Sequence, residues 1–182
     1  GLHEFILRDK GADYDAANFH FAQGDVVTTL IKCAHGETIS LTLDTSLPCP
    51  YSRCFHVQGT KGMYEEENRS IFMDGKDREF HEDWRPRWGC AEEYREAYEH
   101  PLWRKFLSDG VRGGHNGIDW LLMRAFLDAV KAGKSAPVDV YDAASWMAIS
   151  TLSEQSIALG SAPVAIPDFT SGQWLLRSQW QP

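Results

Sequence analysis

The chain has 182 residues, of which 43% are hydrophobic and 24% are charged, and this composition excludes an intrinsically disordered segment. Acidic residues outnumber basic ones by 26 to 18, and the formal net charge of -8 disfavours a nucleic-acid partner. No apolar run approaches the roughly 18 residues that cross a bilayer, so we expect one domain over residues 1–182 and no contact with a membrane.

The first predicted element is a β-hairpin. Its first strand covers residues 26–33, which are rich in β-branched side chains and lead into His35 and Gly36. A two-residue loop at His35 and Gly36 would pair Leu30 with Leu41. One face would then carry Leu30, Ile39, Leu41 and Leu43, and the other Val27, Thr29, Ile31, Thr38, Ser40, Thr42 and Asp44. We expect this second, mixed face to bind a second copy of the chain, because faces of this kind are often interfaces.

Two prolines, Pro48 and Pro50, interrupt the pattern and predict a loop of constrained shape. Turn residues then separate three further predicted strands, at residues 53–58, 62–65 and 70–73. The charged, Trp-bearing region 76–90 has no clear period. We interpret it as an irregular segment on the surface.

From Ala91 onward the apolar residues have helical spacing. They predict helices over residues 92–99, 101–109, 118–130 and 140–159. Asn116 and Asp139 are the predicted caps of the last two, and the final helix is apolar on nearly all sides, which predicts burial against a sheet. Strands followed by helices predict an α+β domain, an open, mainly antiparallel sheet with helices packed on one face.

Common catalytic and metal-binding motifs are missing. The four cysteines form no C-x-x-C pair, so we expect free or structural thiols and no metal site. The sequence also lacks G-x-G-x-x-G, P-loop, G-x-S-x-G and H-E-x-x-H motifs. This chain therefore has no recognisable nucleotide cradle of its own.

Seven short motifs resemble motifs of one family and occur in the same order. They are G-D-V-V-T-T-L-I at 24–31, P-Y-S-R at 50–53, G-T-K-G at 59–62, Y-E-H-P-L-W at 98–103, G-G-H-N-G-I-D at 113–119, V-Y-D-A-A at 140–144 and V-A-I-P-D-F-T at 164–170. Over nearly its whole length the chain resembles the C-terminal half of glycoside hydrolase family 109. These are NAD-dependent α-N-acetylgalactosaminidase-like enzymes in the oxidoreductase group typified by glucose-fructose oxidoreductase and inositol dehydrogenase.

The resemblance implies a two-domain enzyme whose N-terminal Rossmann domain holds NAD and is absent from this chain. It also implies a glycosidase that acts on an α-N-acetylgalactosaminide or similar sugar by oxidation, elimination, hydration and reduction, with the cofactor supplying the redox chemistry. This chain would bind the sugar, form a homodimer or higher homo-oligomer through its sheet, and be inactive by itself. A cytoplasmic, periplasmic or secreted location would depend on the missing N-terminus.

Three residues are predicted to bind the sugar, whereas no catalytic base is assigned. The resemblance places Tyr51 near the sugar, and the alternative is a tyrosine packed over a proline. Arg53 would share its face, the alternative being a structural ion pair. His115 would reach the substrate or the nicotinamide, although a histidine beside a helix cap is often a local hydrogen-bonding residue. The motif departs from the family's G-G-H-G-G-M-D at Asn116 and Ile118.

Two other functions remain open from the sequence. A related oxidoreductase would oxidise or isomerise a sugar without cleaving a glycoside. A chain with no nucleotide cradle would also suit a non-catalytic carbohydrate-binding or oligomerisation module.

Overall fold

The computed structural model describes residues 1–110 and 112–176, which belong to two compact units that meet in sequence between Ser108 and Asp109. The described helices are α1 (Leu2–Asp9), α2 (Glu92–Tyr98), α3 (Pro101–Ser108), α4 (Ile118–Lys131) and α5 (Val140–Ala158). The strands are β1 (Val26–Lys32), β2 (Thr38–Asp44), β3 (His56–Gly59), β4 (Gly62–Glu65) and β5 (Ser70–Met73). All pairings are antiparallel, and the predicted α+β class is confirmed.

Helix α1 opens the first unit and was not predicted from the sequence. It has eight residues and buries Ile6, which is 6% exposed. Two turns of helix contain too few apolar positions for a period to stand out from chance. The sequence pattern alone therefore does not identify this helix.

The hairpin of β1 and β2 forms as predicted, but its register differs by one residue. Leu30 pairs with Ser40, not with Leu41. The reason is a three-residue loop, in which the Cys33 carbonyl accepts from Gly36 N–H at 3.2 Å and Gly36 has a φ of 101°. Since side chains alternate between the faces of a strand, this shift exchanges the partners of every residue.

The faces of the hairpin are therefore different from the predicted ones. An apolar hairpin face carries Val27, Thr29, Ile31, Ile39, Leu41 and Leu43. The hydroxyl-rich hairpin face carries Val26, Thr28, Leu30, Lys32, Thr38, Ser40, Thr42 and Asp44. Leu30 is 73% exposed there. The predicted mixed face does not exist, because its two halves lie on opposite sides.

Strands β3, β4 and β5 form a second sheet in that order. Gly59 pairs with Gly62 across a two-residue loop, and β3 begins at His56 rather than at the predicted residue 53. A Cβ on Gly62 would collide with the carbonyl of Phe72, so the close approach of β5 requires glycine. The described strands thus form two small sheets where the sequence predicts one.

The segment between β5 and α2 is mostly exposed and irregular apart from two short 3-10 turns, as predicted, but two of its residues are buried. Asp77 is 2% exposed and accepts a hydrogen bond from the Met73 N–H at 2.8 Å. Cys90 is 5% exposed, and its sulfur lies 3.3 Å from both the nitrogen and the oxygen of Ile71. Arg87 lies 3.4 Å from Asp77. These contacts attach the segment to β5.

Helices α4 and α5 belong to the second unit. Asp139 caps α5 as predicted: it accepts from the N–H groups of Tyr141 and Asp142. The cap of α4 is Gly117 and not Asn116, which lies in the preceding 3-10 turn with a φ of 55°. The expected burial of α5 is also wrong, since none of its residues is buried.

No helix of the described ranges is long and apolar enough to cross a membrane. Across those same residues, no three His, Cys, Asp or Glu side chains are grouped to hold a metal ion. All four cysteines are free thiols.

Candidate functional site

The predicted sugar-binding residues of the first unit lie in the loop between β2 and β3. Pro48 and Pro50 restrict the backbone of its first half. Tyr51 follows them and is 93% exposed. A ring with so much exposed surface is not packed over a proline, so the structure argues against that alternative. The phenol is left free to meet a ligand.

Three consecutive carboxylates at the end of β4, residues 65–67, hold the second half of this loop, residues 52–55, and the first residue of β3. Glu66 accepts from Arg53 at 2.6 Å and from the Phe55 N–H at 3.1 Å. The neighbouring carboxylates bond in the same way, Glu65 to the His56 imidazole at 2.8 Å and Glu67 to the Ser52 hydroxyl. Residues 65–67 therefore act as an acidic clamp on the loop.

A local turn adds to this constraint. The Ser52 hydroxyl accepts a hydrogen bond from the Cys54 N–H at 2.9 Å. Cys54 itself has a φ of 44°, a left-handed conformation that is uncommon for a residue other than glycine. The turn and the acidic clamp together determine the course of the chain directly after Tyr51.

The ion pair between Arg53 and Glu66 also affects the acidity of the carboxyl group. The guanidinium, together with the Phe55 N–H, holds the pKa of Glu66 below its ordinary value. The structural ion pair that was the alternative for Arg53 is thus confirmed. The Arg53 side chain is nevertheless 66% exposed, so a ligand can still reach it.

His115 lies in the second unit, in a turn that is left-handed over much of its length. Gly113, His115, Asn116 and Gly117 all have positive φ, and the value for His115 is 49°. Asn116 has φ and ψ of 55° and 29°, which asparagine tolerates better than most other residues with a Cβ. The departure from the family's glycine at this position therefore has a backbone explanation.

The imidazole of His115 is paired with Asp119, four residues further on. The distance from Nδ1 to Oδ2 is 2.7 Å, and the two side chains are 82% and 53% exposed. A Cβ on Gly114 would lie 2.8 Å from the same Oδ2, so glycine there makes room for the pair. Asp119 was not predicted as the partner of His115, although the spacing of four residues was a signal for it.

Tyr51 and Arg53 therefore share one loop of the first unit, and His115 belongs to the second unit. A contact of any of the three with a sugar stays a prediction. A cavity of about 460 Å³ in the first unit is lined by residues near α1, among them Asn18, Phe19 and His20, and by none of these three residues.

The described residues form no dinucleotide site of the Rossmann type. NAD sites of the Rossmann type lie where a parallel strand leads through a glycine-rich turn into a helix. Both described sheets are antiparallel, and β1, β3 and β4 each lead into another strand. No residue of this chain is assigned to NAD.

The family match and similar relatives of this chain point to the same family. The family described as "Glycosyl hydrolase 109, C-terminal domain" matches residues 1–176. An alpha-N-acetylgalactosaminidase of Tannerella forsythia is 42% identical over 177 residues, which are 97% of this chain and 36% of that protein. Glycosyl hydrolase family 109 proteins of Parabacteroides distasonis and Stenotrophomonas maltophilia are 44% and 43% identical over 97% of this chain. The chain spans 37% and 38% of their lengths, little more than a third.

Proposed function

The chain belongs to glycosyl hydrolase family 109, whose C-terminal domain it forms, and from this premise we propose that it is the sugar-binding part of an α-N-acetylgalactosaminidase. The observation that carries the proposal is the match over 97% of the chain to a protein of that name. The antiparallel sheets of the described residues, which are not of the Rossmann type, support a part that binds substrate.

Tyr51 is the proposed principal sugar contact. Its phenol can donate one hydrogen bond to a sugar hydroxyl and accept another. Because the prolines and the acidic clamp already constrain the loop, little conformational entropy is lost when the ligand binds. Arg53 and His115, with exposed side chains, are the proposed additional contacts.

We propose that NAD is held by the part of the complete protein that this chain does not span. When bound, NAD supplies the reversible oxidation of a sugar hydroxyl that the family resemblance implies. The residues of this chain bind and orient the sugar, and we expect the chain alone to be inactive, because a site shared between domains loses its alignment when one is removed.

We also propose that the apolar hairpin face binds a second copy of the chain. Ile39, Leu41 and Leu43 on this face are 45%, 44% and 51% exposed. Burial of apolar side chains that are exposed to this degree favours association.

Product analysis with the complete protein tests the proposed function. An aryl α-N-acetylgalactosaminide is incubated with the protein and NAD, and the released phenol and the sugar products are measured. Release of free N-acetylgalactosamine without net NADH supports a glycosidase. Accumulation of an oxidised sugar with NADH would identify a plain oxidoreductase, and sugar binding without turnover would identify a carbohydrate-binding module.

A further inference from the structure

The pair formed by His115 and Asp119 has a defined hydrogen-bond polarity. A carboxylate in its ionised form can only accept, so the Nδ1 atom that lies 2.7 Å from Asp119 must carry a proton. In a neutral imidazole the other nitrogen, Nε2, is then an acceptor. Among the described residues, no hydrogen-bond partner is seen for Nε2, and the side chain is 82% exposed.

An exposed pair four residues apart could simply stabilise a helix. Helix α4 contains such a pair, in which Arg124 donates to Asp128 at 2.8 Å. His115 differs because it lies before the helix, and its φ of 49° is a left-handed conformation that costs energy for a β-carbon residue. Stabilisation of a helix does not require that conformation, and here it accompanies the 2.7 Å contact with Asp119 that orients the ring.

Two glycines before His115 leave space for the contact between His115 and Asp119. A Cβ on Gly114 would crowd the Asp119 carboxylate, and a Cβ on Gly113 would lie 3.1 Å from the Cβ of Trp120. Glycine at both positions therefore leaves room for the turn beside α4. The close approach brings the imidazole to the carboxylate.

We propose that Asp119 is a positioning residue, which fixes His115 in the tautomer protonated at Nδ1 so that Nε2 accepts a hydrogen bond from a sugar hydroxyl. The inference rests on the proposed function for the identity of the ligand. The charge of Asp119 disfavours an anionic ligand beside the ring, and a neutral ligand with O–H or N–H donors fits both groups. The expected ligand class is thus a neutral sugar, which donates to His115.

Solid-state NMR of the complete protein labelled with [15N]histidine tests the tautomer directly. At about pH 8, where an ordinary imidazole is neutral, we expect the His115 signals to show a proton on Nδ1. The signals are assigned by their loss in His115→Gln. In Asp119→Ala the Nε2-protonated form should become populated, whereas Asp128→Ala, the matched control on α4, should leave the signals unchanged. An Nε2-protonated wild type, or an Asp119→Ala spectrum equal to that of the wild type, would overturn the proposal.

Calorimetric titration with N-acetylgalactosamine tests the consequence for binding. Asp119→Ala should weaken the affinity of the complete protein about tenfold, and Asp119→Glu should recover part of it, since a single oriented hydrogen bond is worth about that factor. The Asp128→Ala control should bind within about twofold of the wild type. Equal affinity of Asp119→Ala and wild type would overturn the role of Nε2. If the wild type itself bound no sugar, the proposed function would fail, and the NMR experiment would still decide the tautomer.

Discussion

Arg53 and Glu66 are joined by a hydrogen bond of 2.6 Å that ties the loop carrying Tyr51 to the end of β4. The same carboxylate accepts from the Phe55 N–H, so one side chain holds both a side chain and the backbone of the loop. An exposed ion pair is a weak source of stability by itself. Its importance lies in the shape that it gives to the loop.

The first prediction concerns the pH dependence of this contact. The pKa of Glu66 is lowered in the folded loop, so its stabilising effect is fully present above the unfolded value of 4.5 and is lost as pH falls through the lower folded value. Arg53→Met should raise the pKa of Glu66, and the loop should loosen at a higher pH than in the wild type. The Glu66 carboxyl 13C shift, followed by NMR against pH, measures this directly.

Arg53→Lys is the matched control, because it keeps the positive charge and loses the planar guanidinium. Its Glu66 titration should fall between those of the wild type and Arg53→Met. Identical midpoints in all three proteins would show that the ion pair does not form in solution.

The second prediction concerns Tyr51. In the complete protein, Tyr51→Phe should lower kcat/KM on an aryl α-N-acetylgalactosaminide. The expected decrease corresponds to a loss of about 1 to 3 kcal/mol of transition-state stabilisation, the cost of one polar partner left unpaired. Because the exposed phenol packs against no core, the fold should be unchanged. Tyr14→Phe, at a tyrosine that is 49% exposed, is the control and should retain full activity. Unchanged kinetics for Tyr51→Phe would remove the tyrosine from the sugar site.

The third prediction concerns the buried Asp77. Asp77→Ala removes the carboxylate that accepts a hydrogen bond from the Met73 N–H and that lies nearest to Nε of Arg87. This Nε atom is buried, and no hydrogen-bond partner is seen for it among the described residues. The free energy of unfolding of the first unit should fall by about 3 kcal/mol, as for other buried ion pairs that lose one partner. Urea unfolding followed by tryptophan fluorescence measures the loss.

Asp74→Ala is the control for Asp77→Ala. Asp74 is three residues away and pairs with Arg78 at 3.2 Å on the surface, where both side chains are more than half exposed. This change should alter the free energy of unfolding by no more than about 0.5 kcal/mol. Equal effects of the two substitutions would show that the irregular segment is not anchored through Asp77.

The sequence was sufficient to predict a turn or a helix end where the residues that form it are close together in the chain. The turn between β3 and β4 and the cap at Asp139 were predicted from the sequence, because the residues that define them are neighbours, although the turn has two residues and not the three, 59–61, that separate the predicted strands. The register of the first hairpin was not found, since it depends on whether Gly36 closes a loop of two residues or of three. Both loops fit the same sequence, and only the backbone conformation separates them.

The candidate site likewise has features that were predicted from the sequence and features that were not. The proline-bearing loop around Tyr51 was predicted, because proline acts on its own backbone and needs no distant partner. The acidic clamp was not predicted, because Glu66 and Glu67 lie 13 and 15 residues after Arg53 and Ser52, and only the fold brings them together. The burial of Asp77 was missed because a charged residue in an irregular segment is usually exposed.

The last prediction tests the assembly and the observed register together. Stable dimers bury roughly 1,200–2,000 Å² in total, so the apolar hairpin face would form the centre of an interface to which neighbouring surface contributes. Ile31→Glu places a charge in this centre and should convert a dimer into a monomer in light scattering at micromolar concentration, because an unpaired buried charge is costly.

Thr42→Glu is the control. A two-residue loop would place Thr42 on the same face as Ile31, whereas the observed pairing places it on the hydroxyl-rich hairpin face. Dissociation by Ile31→Glu alone therefore supports both the interface and the register, dissociation by both variants would contradict the register, and a monomeric wild type would contradict the interface.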